Sequence, residues 1–197
     1  MKKLLIRTIE KLSKSSQIEE DLKYIKEKIR TIPNWPKPGV MFRDITTLLQ
    51  DKEGIRKVLD ILYNRYKNRE IDVIVGIESR GFIIAGALAE KLGIGFVPVR
   101  KKGKLPFETI SQTYELEYGT DTVEIHKDAI NPGERVLVID DLVATGGTVL
   151  ASCQLVEKLG GKVEETAFII ELPELKGREK LEKNKFKVFT MVKFEGE

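Results

Sequence analysis

The chain has one cysteine (Cys153), one histidine (His126), one tryptophan (Trp35) and three methionines among its 197 residues. A single cysteine excludes an internal disulfide, and a single histidine beside it excludes the ligand spacings of a zinc site. Long hydrophobic runs are also missing. The Leu4-Leu5-Ile6 run near the start is interrupted by Arg7, and nothing approaches the roughly 20 apolar residues of a membrane span or the apolar core of a signal peptide. Neither charge sign dominates: 34 basic against 31 acidic residues leave a net charge of +3. So small an excess does not point to a nucleic-acid partner. Internal repeats and low-complexity tracts are absent as well. What remains is a 41% hydrophobic, 33% charged chain. That is the composition of one globular domain with a sizeable core, expected in a reducing cytoplasm without membrane or nucleic-acid partners.

Against that background one stretch stands out, Arg135 to Thr148, R-V-L-V-I-D-D-L-V-A-T-G-G-T. The apolar run Val136 to Ile139 reads as a strand buried on both faces. Two carboxylates, Asp140 and Asp141, follow, then a glycine-containing turn, then an apolar helical run from Val149 to Leu159. A strand, an acidic pair and a Thr-Gly-Gly-Thr turn into a helix form a site for a sugar phosphate. The turn's N–H groups and the helix dipole favour the phosphate. The carboxylates can accept hydrogen bonds from vicinal hydroxyls or help hold a hard cation. Successive side chains on a strand point to opposite faces, so both acids can serve one ligand only if the strand has already ended there.

The rest of the chain alternates. Ile18, Leu22, Ile25 and Ile29 predict an amphipathic helix with Ser16 as N-cap and Glu19 completing a capping box. Pro33, Pro36 and Pro38 predict a stiff extended segment over 32–39. Helices are predicted over 54–67 and 81–92, and strands over 73–77, 94–99 and 163–170, with an edge strand over 186–191. Strands alternating with helices imply an α/β sheet with parallel pairing. Residues 101–123 break the alternation. The segment opens on Arg100, Lys101, Lys102 and Lys104, and Gly119 can turn a hairpin between Tyr114 and Ile125. A connection this long inside a compact domain is usually functional, and it reads as a mobile lid.

The segment Asp140 to Thr148 resembles the phosphoribosyl-pyrophosphate signature of type I phosphoribosyltransferases. Five further segments narrow the resemblance to the adenine phosphoribosyltransferase family: Ile32–Thr46, Gly76–Phe82, Val99–Pro106, Tyr114–Gly119 and Glu171–Leu181. The resemblance implies an α/β type I phosphoribosyltransferase fold, a mostly parallel twisted sheet flanked by helices. It would be a single domain over 1–197, with an N-terminal hood over 18–46 and a flexible lid over 101–123. Residues 1–17 lie outside the resemblance. The implied reaction joins adenine to phosphoribosyl pyrophosphate, giving AMP and pyrophosphate, with Mg2+ bound alongside the pyrophosphate substrate. A homodimer is implied too.

The same resemblance distributes roles. Ala144, Thr145, Gly146, Gly147 and Thr148 would hold the 5′-phosphate, and Asp140 and Asp141 the ribose hydroxyls and, through water, the metal. Ser79, Arg80, Lys101 and Lys104 would receive pyrophosphate, with a cis bond implied at Glu78–Ser79. Met41, Phe42 and Arg43, with Leu142 and Leu172 as an apolar floor, would take adenine. Glu117 would exchange a proton near the adenine N7 with Arg80 as its catalytic companion, and Tyr118 would cover the ribose. His126 is expected to be a sheet or surface residue, and Cys153 and Trp35 to be packing residues. Two other readings remain: a salvage enzyme for hypoxanthine, guanine or xanthine, and a non-catalytic sensor of phosphoribosyl pyrophosphate.

Overall fold

In the computed structural model the described residues are 2–115 and 119–196, with side chains described from residue 15 onward. The chain falls into two compact units, residues 1–61 and 62–197.

The first unit opens on α1 (Lys2–Lys28), followed by β1 (Arg30–Pro33), β2 (Met41–Asp44), α2 (Thr46–Gln50) and the start of α3 (Lys52–Tyr66). The helix predicted from Ile18 is thus the second half of a single 27-residue helix, and Ser16 is interior to it rather than an N-cap. The sequence left the first dozen residues open between a separate short helix and loose chain; Leu5, Ile9 and Leu12 keep helical spacing there, and the helix continues through Ser13 to Gln17 without a break. Ile25, Ile29, Ile45 and Leu48 are buried. Tyr24 donates its hydroxyl to Asp51 at 3.0 Å, and Lys28 pairs with the same carboxylate at 2.8 Å. The proline segment is the turn of an antiparallel hairpin, with Ile32 opposite Phe42 and Trp35–Pro36 in the cis form. Trp35 meets Phe42 edge-on, with ring centroids 4.3 Å apart.

Asp44 closes this hairpin. Its carboxylate accepts from the Thr46 hydroxyl and N–H and from Arg30, and these bonds, Thr46 first, hold its pKa down to about 2 from an ordinary 3.8. A depressed carboxylate contributes stability above its ordinary pKa and loses it as pH falls through the folded value. Thermal melts between neutral pH and pH 2 are therefore expected to show a shallower acid limb, and a lower midpoint at neutrality, for Asp44→Asn than for the parent. Superimposable acid limbs would contradict this.

The second unit carries a seven-stranded sheet in the order β5-β6-β4-β3-β7-β8-β9. Its strands are β3 (Val73–Ile77), β4 (Gly95–Lys101), β5 (Thr109–Glu115), β6 (Thr120–His126), β7 (Arg135–Val143), β8 (Lys162–Glu171) and β9 (Val188–Lys193). The five strands β4, β3, β7, β8 and β9 run parallel, as the alternating pattern requires. Helix α4 (Arg80–Leu92) joins β3 to β4, α5 (Gly147–Lys158) joins β7 to β8, and α6 (Gly177–Lys183) lies between β8 and β9. β3 is buried at every position, which is why it reads as a continuous apolar run. Its odd residues join the α5 side of the core with Val138, Val149, Cys153 and Phe168, and α4 packs on β3, β4 and β7. Among the described residues no helix is long and apolar enough to cross a membrane.

Two expectations need correction. In the segment read as a mobile lid over 101–123, the hairpin expected between Tyr114 and Ile125 is present and longer, and most of the described residues are sheet: β5 and β6 pair from Thr109↔His126 to Glu115↔Thr120, and β6 docks on β4 through Arg100↔Glu124. Its alternation is weak in sequence because the β5 residues are only half-buried or exposed. The strand carrying the acidic pair also does not stop at Ile139. β7 stays paired with β8 out to Val143, whereas its pairing with β3 ends at Gly76↔Ile139.

Candidate active site

The sheet order reverses at β3. From β3 the chain steps to β4 on one side, and from β7 to β8 and β9 on the other. Ligands of open α/β sheets bind outside the carboxyl ends of the strands at such a switch point. Here those ends are Glu78-Ser79-Arg80 after β3 and Asp140 to Thr148 at the end of β7. Every sugar-phosphate residue expected from the sequence, and Arg80 with them, sits on these two neighbouring segments.

Asp140 and Asp141 meet the start of α4 although both lie within a strand. Arg80 Nε donates to Asp141 Oδ2 at 2.5 Å, and the Asp141 side chain is 4% exposed. Asp140 curls back, its Oδ1 accepting the Asp141 N–H at 2.8 Å. A methyl group placed on Gly81 would come within 2.9 Å of that same oxygen, so both acids reach the adjacent positions 80 and 81. Desolvation by the surrounding protein, and then the charge of Asp141, raise the Asp140 carboxyl well above its ordinary pKa. The Glu78–Ser79 peptide is cis, as the resemblance implied.

The turn after β7 is built for close approach. Gly146 sits at φ 75° as the residue before α5, a left-handed conformation that favours glycine. The N–H groups of a helix's first turn have no intrahelical acceptor, so Gly147 and Thr148 present theirs at the positive end of the α5 dipole. The helix begins at Gly147, two residues earlier than the apolar run predicted. A hollow of about 340 Å³ adjoins Thr145 and is bounded by Leu175, Lys176, Glu179, Lys180 and Lys183.

The basic turn after β4 has its own organiser, which the sequence did not single out. The buried Glu124 carboxylate accepts the N–H groups of Gly103, Lys104 and Leu105 at 3.0–3.1 Å. Glu78 accepts from Arg100 at 3.0 Å and from the Lys101 N–H at 2.9 Å, and Arg100 above all holds its carboxyl below the usual range. Lys101 turns its ammonium to Tyr114 and Asp121 of the hairpin rather than to Arg80.

Leu142 and Leu172 stand together at the ends of β7 and β8, where the Leu172 N–H donates to the Val143 carbonyl at 3.1 Å. Met41, Phe42 and Arg43 are on β2 in the first unit. Arg43 is buried, donates to Thr31 at 2.6 Å, and has its pKa lowered by that burial. Glu117 and Tyr118 lie outside the described residues. His126 is on β6, its buried Nε2 without a hydrogen-bond partner and its ring edge-on to Phe107. Cys153 is buried in the core, and burial raises its thiol pKa.

The family model for the phosphoribosyl transferase domain matches residues 44–196. The chain is 58% identical over 172 residues to the adenine phosphoribosyltransferase of Parvibaculum lavamentivorans, covering 87% of this chain and 98% of that one. It is 60% identical over 173 residues to the enzyme of the same name from Desulfosudis oleivorans, covering 88% and 99%. The fold superposes with a TM-score of 0.84 on the crystal structure of adenine phosphoribosyltransferase from Rhodothermus marinus, at 50% identity over 89% of this chain and 99% of that one. The Saccharomyces cerevisiae enzyme, solved with a dideoxy-imino-altritol bisphosphate and adenine, gives 0.83 at 42% identity over 88% and 99%.

Proposed function

The chain belongs to the adenine phosphoribosyltransferase family, and from that premise we infer that it transfers the 5-phosphoribosyl group of phosphoribosyl pyrophosphate to adenine, releasing AMP and pyrophosphate. The observation that carries the reading is the pairing of Arg80 with Asp141 across the switch point, beside a glycine turn that opens α5.

In this reading the turn Ala144–Thr148 takes the 5′-phosphate and Asp140 and Asp141 take the ribose hydroxyls. Arg80 and Ser79 receive the departing diphosphate, with Lys104 on the turn that Glu124 shapes. Lys101, held by Asp121 and Tyr114, would contribute once that contact is exchanged. The bond from the anomeric carbon to the diphosphate oxygen breaks as adenine nitrogen attacks, and the positive character at that carbon is balanced by the surrounding anions. Leu142 and Leu172 would lie against the base, and the backbone of Met41 and Arg43 would read its edge, with Phe42 beside them. Glu117 would exchange the proton near N7, and Tyr118 would cover the ribose.

Among the described residues no cluster of three or more acidic, histidine or cysteine ligands exists. A magnesium ion characteristically keeps several waters and draws on substrate phosphates, using only one or two carboxylates, and Asp140 and Asp141 fit that donor set through water. The ion would supply charge neutralisation to the diphosphate. A homodimer in a reducing cytoplasm completes the proposal.

A nucleobase panel with phosphoribosyl pyrophosphate and magnesium tests it. A site that pairs with the adenine 6-amino group and N1 leaves groups unpaired with hypoxanthine, at about 1–3 kcal/mol each. AMP formation is therefore expected to exceed IMP, GMP and XMP formation by roughly 100-fold or more. Comparable rates with hypoxanthine or guanine, or no transfer at all, would reject it.

A further inference from the structure

Behind the phosphate turn, on the side away from β3, lies a cluster that the proposed mechanism does not use. Glu171, the last residue of β8, is 4% exposed. It receives Arg178 in a two-pronged contact, Nε at 2.9 Å and an NH2 group at 2.8 Å, and it accepts the Thr190 hydroxyl at 2.7 Å. Arg178 also donates to Thr190 at 2.9 Å, to the Val188 carbonyl at 2.9 Å and to Glu182 at 3.3 Å. A planar guanidinium gripped this way has one orientation. Arg178 is the second residue of α6, so the grip fixes where that helix begins.

What begins there is Gly177, and it touches the turn. A methyl group on Gly177 would lie 2.2 Å from the Ala144 carbonyl oxygen, 2.8 Å from the Val143 side chain and 2.9 Å from the Gly146 nitrogen. A methyl group on Gly146 would in turn lie 2.9 Å from the Gly177 carbonyl oxygen. The two glycine backbones therefore close on each other with no room for a side chain. The residue before Gly177, Lys176, is held at φ 57°. A lysine in this left-handed conformation is strained and persists only where its surroundings over-determine it. The Arg178 grip on one side and the Leu172-to-Lys176 turn, whose N–H groups at Leu175 and Lys176 bond back to Leu172 and Pro173, on the other provide that constraint.

We propose that Arg178, fixed by Glu171 and Thr190, is a positioning residue for the phosphate turn: it presses Gly177 against Ala144 and Gly146 and so sets the enzyme's affinity for the 5′-phosphate of its substrates, independently of the base. The inference rests on the reading that residues 144–148 hold that phosphate. Nothing in the cluster touches substrate. Its effect is to keep the turn's N–H groups in the arrangement a phosphate requires before the ligand arrives, which lowers the ordering cost of binding.

The test compares Arg178→Gln, Gly177→Ala, Thr190→Val and Thr148→Val with the parent enzyme. It reads KM for phosphoribosyl pyrophosphate, KM for adenine, kcat, the Kd of ribose 5-phosphate by calorimetry, and the melting temperature. Arg178→Gln and Gly177→Ala are expected to raise KM for phosphoribosyl pyrophosphate and Kd for ribose 5-phosphate by about tenfold or more, with KM for adenine within about twofold. Thr190→Val, which removes the hydroxyl's hydrogen bonds to Glu171 and from Arg178 at nearly constant volume but leaves the Arg178–Glu171 contact, should shift the same two constants in the same direction by a smaller factor, and it serves if the stronger variants fail to fold. A merely structural role would lower the melting temperature and move both KM values together, or move neither, and either result overturns the proposal. If Thr148→Val weakens ribose 5-phosphate binding while the other three variants do not, this inference alone fails. If Thr148→Val also leaves that affinity unchanged, the phosphate-turn reading fails and the inference falls with it.

Discussion

Replacing Arg80 with alanine is expected to lower kcat/KM by roughly 10²–10³-fold, the loss typical when one well-aimed donor to a developing charge is removed. Two effects add. The departing diphosphate loses a guanidinium at the carboxyl end of β3. Asp141, 4% exposed and bonded to Arg80 Nε at 2.5 Å, loses its partner beside Asp140, whose carboxyl is already raised by desolvation and by the Asp141 charge. A buried carboxylate stripped of its cation costs more than the pair contributed, so the acids and the ribose hydroxyls they would hold shift together. Asp141→Asn keeps the volume and leaves Arg80 in place, and it should lower kcat/KM severely as well. Steady-state kinetics with each substrate varied in turn, beside circular dichroism to check the fold, decides the matter. Near-normal turnover in both variants would remove the Arg80–Asp141 pair from the mechanism.

Gly146→Ala is expected to raise KM for phosphoribosyl pyrophosphate by roughly 10–10³-fold. The backbone at φ 75° costs an L side chain about 1–2 kcal/mol. The added methyl, 2.9 Å from the Gly177 carbonyl oxygen and 3.1 Å from its Cα, adds overpacking of about 1–3 kcal/mol. The neighbour here is backbone, so no flexible side chain can swing away, and the turn itself must move. Ribose 5-phosphate affinity measured by calorimetry should fall in step. An unchanged KM would mean that the turn does not carry the phosphate.

The parts of the fold that could be read from the sequence are those buried on both faces. β3 was predicted residue for residue over 73–77 because every one of its side chains is buried, and α4 within one residue because Ile84, Ala85, Leu88 and Ala89 keep helical spacing before Gly93. The hairpin expected between Tyr114 and Ile125 in fact runs from Thr109 to His126, and its outer strand β5 was harder to delimit because its residues are only half-buried or exposed. In the site, the phosphate turn and acidic pair are contiguous in sequence and were legible. The demand that the strand end before Asp140 was too strict: β7 continues to Val143, yet the start of α4 lies close enough for both acids to reach it. The Arg178–Glu171–Thr190 cluster could not be read, because Glu171 and Thr190 come together only through the pairing of β8 with β9 and Arg178 reaches both from α6. Glu124 over the basic turn depends likewise on the β4–β6 register.

The measurement closest to the central claim is a crystal structure of the enzyme grown with AMP and pyrophosphate. The account places the nucleotide's phosphate on the N–H groups of Thr145 to Thr148, its ribose hydroxyls at Asp140 and Asp141, and the pyrophosphate at Ser79 and Arg80. A nucleotide bound elsewhere, with the turn beyond β7 in contact only with solvent, would contradict it.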